Sequence, residues 1–211
     1  MSLALISISL SSFVIALSGA MMPGPVMTVT VSESVRRGAT VGPLMILGHG
    51  LLELLLVGAL ITGLAPLLSR DEVFIAISLV GGVILLWMAV SMFKGLPSLH
   101  LCLEDQGKRS RNLILAGILL SIANPYWLLW WATIGLGYIV YSMQFGLIGV
   151  AAFFVGHILA DLTWYGFISF GIARGRRFFT DSRYRLLVGI CASFLVLFSG
   201  YFIVSGIERL I

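Results

Sequence analysis

The sequence predicts an all-α integral membrane protein: six transmembrane helices forming two inverted-topology three-helix repeats, with helices 1 and 4 broken. Three observations lead there. Of 211 residues, 59% are hydrophobic and only 10% charged, and the mean hydropathy is +1.08. A soluble domain carries about 25% charged residues, so there is too little polar material here to coat a water-soluble globule. A cytosolic enzyme is excluded on that ground. Second, the apolar residues fall into six runs, each long enough for the about 20 residues that a span needs. Third, the chain matches itself when shifted by 108 positions, which pairs Gly38, Gly48, Gly58, Gly63 and Gly81 with Gly146, Gly156, Gly166, Gly171 and Gly189. Chance would give about one such coincidence. In that register His49 meets His157 and Glu53 meets Asp161.

The first run, 3–32, would be about 45 Å long as a straight helix, against a hydrocarbon core of about 30 Å. A break is expected, and Pro23-Gly24-Pro25 supplies it, because proline lacks the amide donor and clashes with the carbonyl four residues back. No Lys or Arg precedes Arg36, so this run is expected to be a retained helix rather than a cleaved signal. The second run, 40–68, follows Arg36-Arg37 and carries His49 and Glu53; the third, 73–93, follows Arg70-Asp71-Glu72. Residues 1–94 form the first repeat, 95–112 a cytoplasmic loop and 113–211 the second repeat. The fourth run, 113–140, contains Asn124-Pro125, a second expected break, beside Tyr126, Trp127, Trp130 and Trp131. An interfacial aromatic belt is the default for such residues; the wall of a cavity is the alternative. The turn at 141–143 has no charge, yet 113–172 is too long for one span, so a fifth run is set at 144–172. It carries His157 and Asp161, and the sixth run is 185–206.

If every run crosses, one face receives eleven Lys and Arg residues and the other only Arg70 and Arg209. The positive-inside rule then puts both termini outside. Three spans per half place the second copy upside down, the plan of many secondary transporters. The net charge of +4 is read as topology and lipid-headgroup contact. Nucleic acid is not expected as a partner, since no aromatics are interleaved with the basic residues. Cys102 and Cys191 form no C-x-x-C and imply no disulfide framework.

His49 and Glu53, like His157 and Asp161, lie four residues apart and share a helix face. A charged side chain near the bilayer centre costs about 2.5–3.5 kcal/mol even on the lenient scale, so such groups face a protein interior or a wet cavity. They either clasp helices together or line a pathway that binds a cation, an ammonium group or a proton. Burial disfavours the charged form of a carboxyl, which makes Glu53 and Asp161 candidates for proton exchange. The two imidazoles and two carboxylates also suit a divalent metal. Backbone freed by the proline breaks is tolerated at membrane depth only where protein or a cavity satisfies it. The candidate substrate and ion site is therefore Pro23, Gly24, Pro25, His49, Glu53, Asn124, Pro125, His157 and Asp161.

Pro23-Gly24-Pro25, Arg36-Arg37-Gly38 with Gly42, Gly48 through Glu53, and Asn124-Pro125 together resemble the LysE/RhtB-type amino-acid exporters, over most of the chain. The resemblance implies a small inner-membrane secondary transporter that expels amino acids or related solutes using an ion gradient. Members often carry Lys after the Asn-Pro, where this chain has Tyr126. The wider superfamily includes exporters of metals.

The expected function is export of a small solute, an amino acid, driven by a proton gradient with alternating access between the repeats. The alternative is a divalent metal-ion exporter using His49, Glu53, His157 and Asp161. No enzyme activity and no cofactor are expected, and a homo-oligomer is left open. No G-x-x-x-x-G-K-[ST] loop is present for ATP. A thiol–disulfide conduit would need cysteines paired by the repeat, but Cys191 aligns with Val83.

Overall fold

A computed structural model describes residues 2–68, 70–99, 112–175 and 180–211. Lys108, Arg109, Arg111, Arg176 and Arg177 of the charge count, Cys102, and most of the predicted loop 95–112 lie outside the described residues.

Among the described residues every regular element is helical. The first apolar run becomes α1 (Ser2–Ala20) and α2 (Pro25–Arg37), separated at the predicted Pro-Gly-Pro. The second becomes α3 (Val41–Ala59), a π-helical segment Leu60–Leu64, and α4 (Ala65–Leu68). That break was not foreseen; Gly63 holds φ at 137°, a backbone that only glycine adopts without strain. The third run is α5 (Asp71–Gly95), extended by a short 3-10 turn at Leu96–Ser98 where the loop was expected to start. The fourth run holds α6 (Leu113–Ile122), α7 (Pro125–Trp130), a π-helical segment Trp131–Gly135, and α8 (Leu136–Met143). The chain bends by 67° at Asn124-Pro125. The freed carbonyl of Ser121 there accepts from Asn124 N–H at 3.1 Å. The uncharged turn exists but lies later than expected, ending at Gly146 with φ 67°. Helices α9 (Gly146–Gly175) and α10 (Asp181–Glu208) complete the chain.

Among the described residues five helices are long and apolar enough to cross a membrane, and six if the bent pair α6 and α7–α8 counts as one span. Leu55, Trp87, Phe167 and Leu197 are among the large apolar side chains left exposed. A bilayer, not water, is the solvent such a surface fits.

Two pairs of helices set the frame. In α3 and α9, Gly42 packs against Tyr165, Gly50 against Ile158, and Glu53 meets His157. The ascending numbers meet descending ones, so the pair is antiparallel. The same holds for α5 and α10, where Asp71 pairs with Arg209 at 3.0 Å and Gly82 packs on Ser199 and Ile203. Helix α1 lies on α9, and α6 lies on α3. Gly48 and Gly117 permit the second of these crossings. A Cβ on Gly48 would strike the backbone of Ile114, and one on Gly117 the carbonyl of Met45. Small residues let membrane helices approach this closely, and here the approach brings α6 within reach of His49.

Candidate functional site

The crossing of α3 and α9 carries the four ionisable side chains singled out above. One turn of α3 presents His49 and Glu53, and one turn of α9 presents His157 and Asp161. Because the two helices are antiparallel, each histidine lies against the acid of the other helix as well as its own. His49 Nε2 is 3.0 Å from Glu53 Oε1 and 3.7 Å from Asp161 Oδ2. His157 Nε2 is 3.0 Å from Glu53 Oε2 and 3.5 Å from Asp161 Oδ2. Glu53, His157 and Asp161 are buried, with Glu53 at 1% exposure.

Three neighbours orient this cluster. Trp127 and Trp131 are four residues apart on the segment after the second break, and both indole N–H groups donate to Glu53 Oε1, at 3.0 and 2.8 Å. On α6, Ser121 O–H donates to the carbonyl of Gly117 at 2.7 Å. Its oxygen therefore accepts from His49 Nδ1–H, 2.6 Å away. That network places a proton on His49 Nδ1 and turns its Nε2 towards the carboxylates. The arrangement leaves gaps in the hydrogen bonding. Glu53 Oε2, Asp161 Oδ2 and both ring nitrogens of His157 are buried with no hydrogen-bond partner, despite the 3.0 Å approach of His157 to Glu53. Each such orphan costs about 1–3 kcal/mol if nothing fills it.

The tryptophans correct one expectation. Trp127, Trp130 and Trp131 are buried, so they form an interior wall and not an interfacial belt. The carboxylate of Glu53 explains Trp127 and Trp131, since a buried acid needs donors and indole N–H groups supply them without adding charge; Trp130 Nε1 is buried with no hydrogen-bond partner. Trp127 and Trp131, which the sequence leaves between a belt and a cavity wall, and Ser121, which it does not single out, are the neighbours that contact the cluster. Their signal was spacing, since 127 with 131 and 117 with 121 each share one helix face.

A cavity of about 70 Å³ opens beside the cluster, and His49, Glu53, His157 and Asp161 all line it. Both helix breaks reach it through Gly24 and Asn124. They lie side by side, for a Cβ added to Gly24 would come 3.5 Å from Asn124 Nδ2. Pro23 and Pro25 flank the first break and are not among the lining residues; Pro125 begins α7. The two breaks differ in their caps. Asn124 Oδ1 accepts from Tyr126 N–H at 3.2 Å and so closes the start of α7. Gly24 offers α2 no side chain, which leaves the first-turn amides of a 13-residue helix without a cap, beside a cavity that Val26 also lines.

The family model for the LysE type translocator matches residues 17–206. The chain belongs to the LysE type translocator family. The resemblance read from the Pro-Gly-Pro, Arg-Arg-Gly and Asn-Pro elements is thus borne out. The chemotactic transduction protein ChpE of Pseudomonas aeruginosa is 33% identical over 144 residues, covering 63% of this translocator and 68% of that protein. No solved structure matches the chain. As a family member the translocator is a multi-pass membrane exporter of small solutes, working in a lipid environment, and the family consists of transporters and not enzymes.

Proposed function

We propose that the translocator is a secondary active exporter of an amino acid at the plasma (inner) membrane. A proton gradient drives it, and access alternates between two inverted three-helix repeats with both termini outside. The observation that carries this reading is the meeting of both helix breaks with the intramembrane His/acid cluster around one cavity. Broken helices that converge on ionisable groups at a repeat interface are the usual seat of substrate and coupling ion in secondary transporters.

Each end of a zwitterion has a counterpart there. The uncapped N-terminus of α2 suits a carboxylate, because its first-turn amides and the helix dipole favour negative charge. The ammonium group faces Asp161, which keeps 7% side-chain exposure towards the cavity, whereas Glu53 at 1% is held by two indoles. Glu53, joined to both histidines, is the residue for the coupling proton.

Inverted repeats are supported by the pairings. Relating residue n to n + 108 turns the contact Glu53–His157 into Asp161–His49, and both contacts exist. It turns Gly48 into Gly156, and a Cβ at either would strike backbone of α6 or α1, at Ile114 and at Ser9. The antiparallel run of α3 with α9 and of α5 with α10 is what an axis in the membrane plane requires. The relation is loose at the breaks, since the same shift carries Gly24 onto Ala132, inside the π-helical segment Trp131–Gly135, and not onto Asn124.

The reading is tested by reconstituting the purified translocator into liposomes and offering a panel of labelled amino acids under an imposed pH gradient. Uphill accumulation of one or a few, abolished by collapsing the gradient, is expected. Downhill flux indifferent to pH would remove the proton, and no flux of any amino acid would remove the substrate class.

A further inference from the structure

We infer that His49, Glu53, His157 and Asp161 form a binding site for one divalent first-row transition ion, of the Zn²⁺ class, bridging α3 and α9. The inference concerns what these four side chains hold between them and does not depend on which solute the adjoining cavity carries.

Size is the first argument. One ligand atom from each residue can be chosen so that all four lie within 4.8 Å of one another; His157 Nε2 is 3.0 Å from Glu53 Oε2 and 3.5 Å from Asp161 Oδ2, and His49 Nε2 is 3.7 Å from Asp161 Oδ2. Metal bonds of about 2.0–2.2 Å to imidazole nitrogen and carboxylate oxygen place neighbouring ligands about 3.0–3.5 Å apart. A water or an ammonium group hydrogen-bonded to all four at about 2.8 Å would hold them about 4.6 Å apart, which does not match the shorter of these separations. A bare cation does.

Hydrogen bonding is the second. Glu53 Oε2, Asp161 Oδ2 and His157 Nε2 face one another without a donor shared in hydrogen-bond geometry. A single cation at their centre would satisfy them together, and two carboxylates balance its charge. The third argument is the outer shell. Metal-bound histidines donate their other ring N–H to an oxygen, and ligating carboxylates are themselves hydrogen-bonded. His49 has that arrangement through Ser121 and Gly117, and Glu53 has it through the two indoles on Oε1, leaving Oε2 for the ion. Mixed imidazole and carboxylate ligands select Zn²⁺ and its neighbours over Ca²⁺ or Mg²⁺.

The test uses the full chain, purified without a histidine tag, stripped with chelator and titrated with Co²⁺ and then Zn²⁺. One equivalent of Co²⁺ should bind with the intense visible bands of a four-coordinate site, and Zn²⁺ should displace it. His49→Ala and His157→Ala should abolish the bands, and Ser121→Ala should weaken binding by about tenfold or more, as outer-shell losses do. Because these variants change a buried cluster, thermal unfolding is followed in parallel. Zn²⁺ should raise the Tm of the wild type, and not of His157→Gln or Asp161→Asn. Absence of Co²⁺ and Zn²⁺ binding by the folded wild type, or binding unchanged in both histidine variants, overturns the inference. Intact amino-acid transport in metal-free protein that binds no ion would sink this site and leave the exporter reading standing. Metal binding without amino-acid flux would do the reverse.

Discussion

Glu53 makes more polar contacts than any other side chain at the α3–α9 crossing, and its two oxygens differ. Oε1 takes both indoles, while Oε2 faces His157 with no aligned donor. Trp131→Phe removes the shorter of the two indole bonds and leaves Trp127 in place. We expect it to lower stability by about 1–2 kcal/mol, the cost of a lost bond to a charged or nearly charged acceptor, and to slow transport by loosening the carboxylate. Thermal unfolding and initial rates check this together; a variant with unchanged Tm and rate would deny the indoles any part in holding Glu53. The four ionisable residues were legible in the sequence because such groups are costly in lipid and because the 108-residue register repeats them. Ser121 was not, and Trp127 and Trp131 stayed between a belt and a cavity wall, because serine and tryptophan are ordinary residues in membrane helices. Only the position of the acid across the interface gives them a task.

At the scale of elements, the breaks decide where polar backbone is available. Pro23 and Pro25 hold α1 and α2 apart, and a helix through this stretch is opposed by about 3 kcal/mol for an interior proline. Replacing both by alanine favours one continuous helix. The prediction is a protein that inserts and unfolds at the same or a higher temperature, with counterflow reduced by about tenfold or more as the α2 N-terminus is lost. Unchanged counterflow would mean that the break serves packing alone. Gly117→Leu acts at the other kind of element contact. Its side chain collides with backbone at Met45, so the helices must separate, and overpacking of this kind costs about 1–3 kcal/mol. It should also release His49 from Ser121, measurable as a fall in Tm together with weakened transport; a tolerated leucine would contradict the close crossing. Both proline breaks could be read from the sequence, since proline acts through its own ring. The break at Gly63 and the two π-helical segments could not. A glycine inside an apolar run is usually a packing residue, and π-helical turns arise from side chains packing elsewhere.

At the scale of the whole molecule, the proposed alternating access needs two three-helix halves related by an axis in the membrane plane and meeting at the cluster. The apolar runs that become the membrane-spanning helices were legible in the hydropathy pattern of the sequence. The crossing of α1 onto α9 and of α6 onto α3 was not, because nothing local records it. The topology predicts that, in a cysteine-free background, Arg70→Cys and Arg209→Cys react with an impermeant thiol reagent from outside, and Arg36→Cys and Arg174→Cys only after permeabilisation. Labelling of Arg36 and Arg70 from the same side would end the inverted arrangement. The most direct measurement of the central claim is amino-acid counterflow in proteoliposomes for the wild type, Glu53→Gln, Asp161→Asn and the double variant, at matched amounts of folded protein. The account predicts exchange in the wild type and none in any variant. Full exchange in the double variant would place the transport pathway somewhere other than the meeting point of α3 and α9.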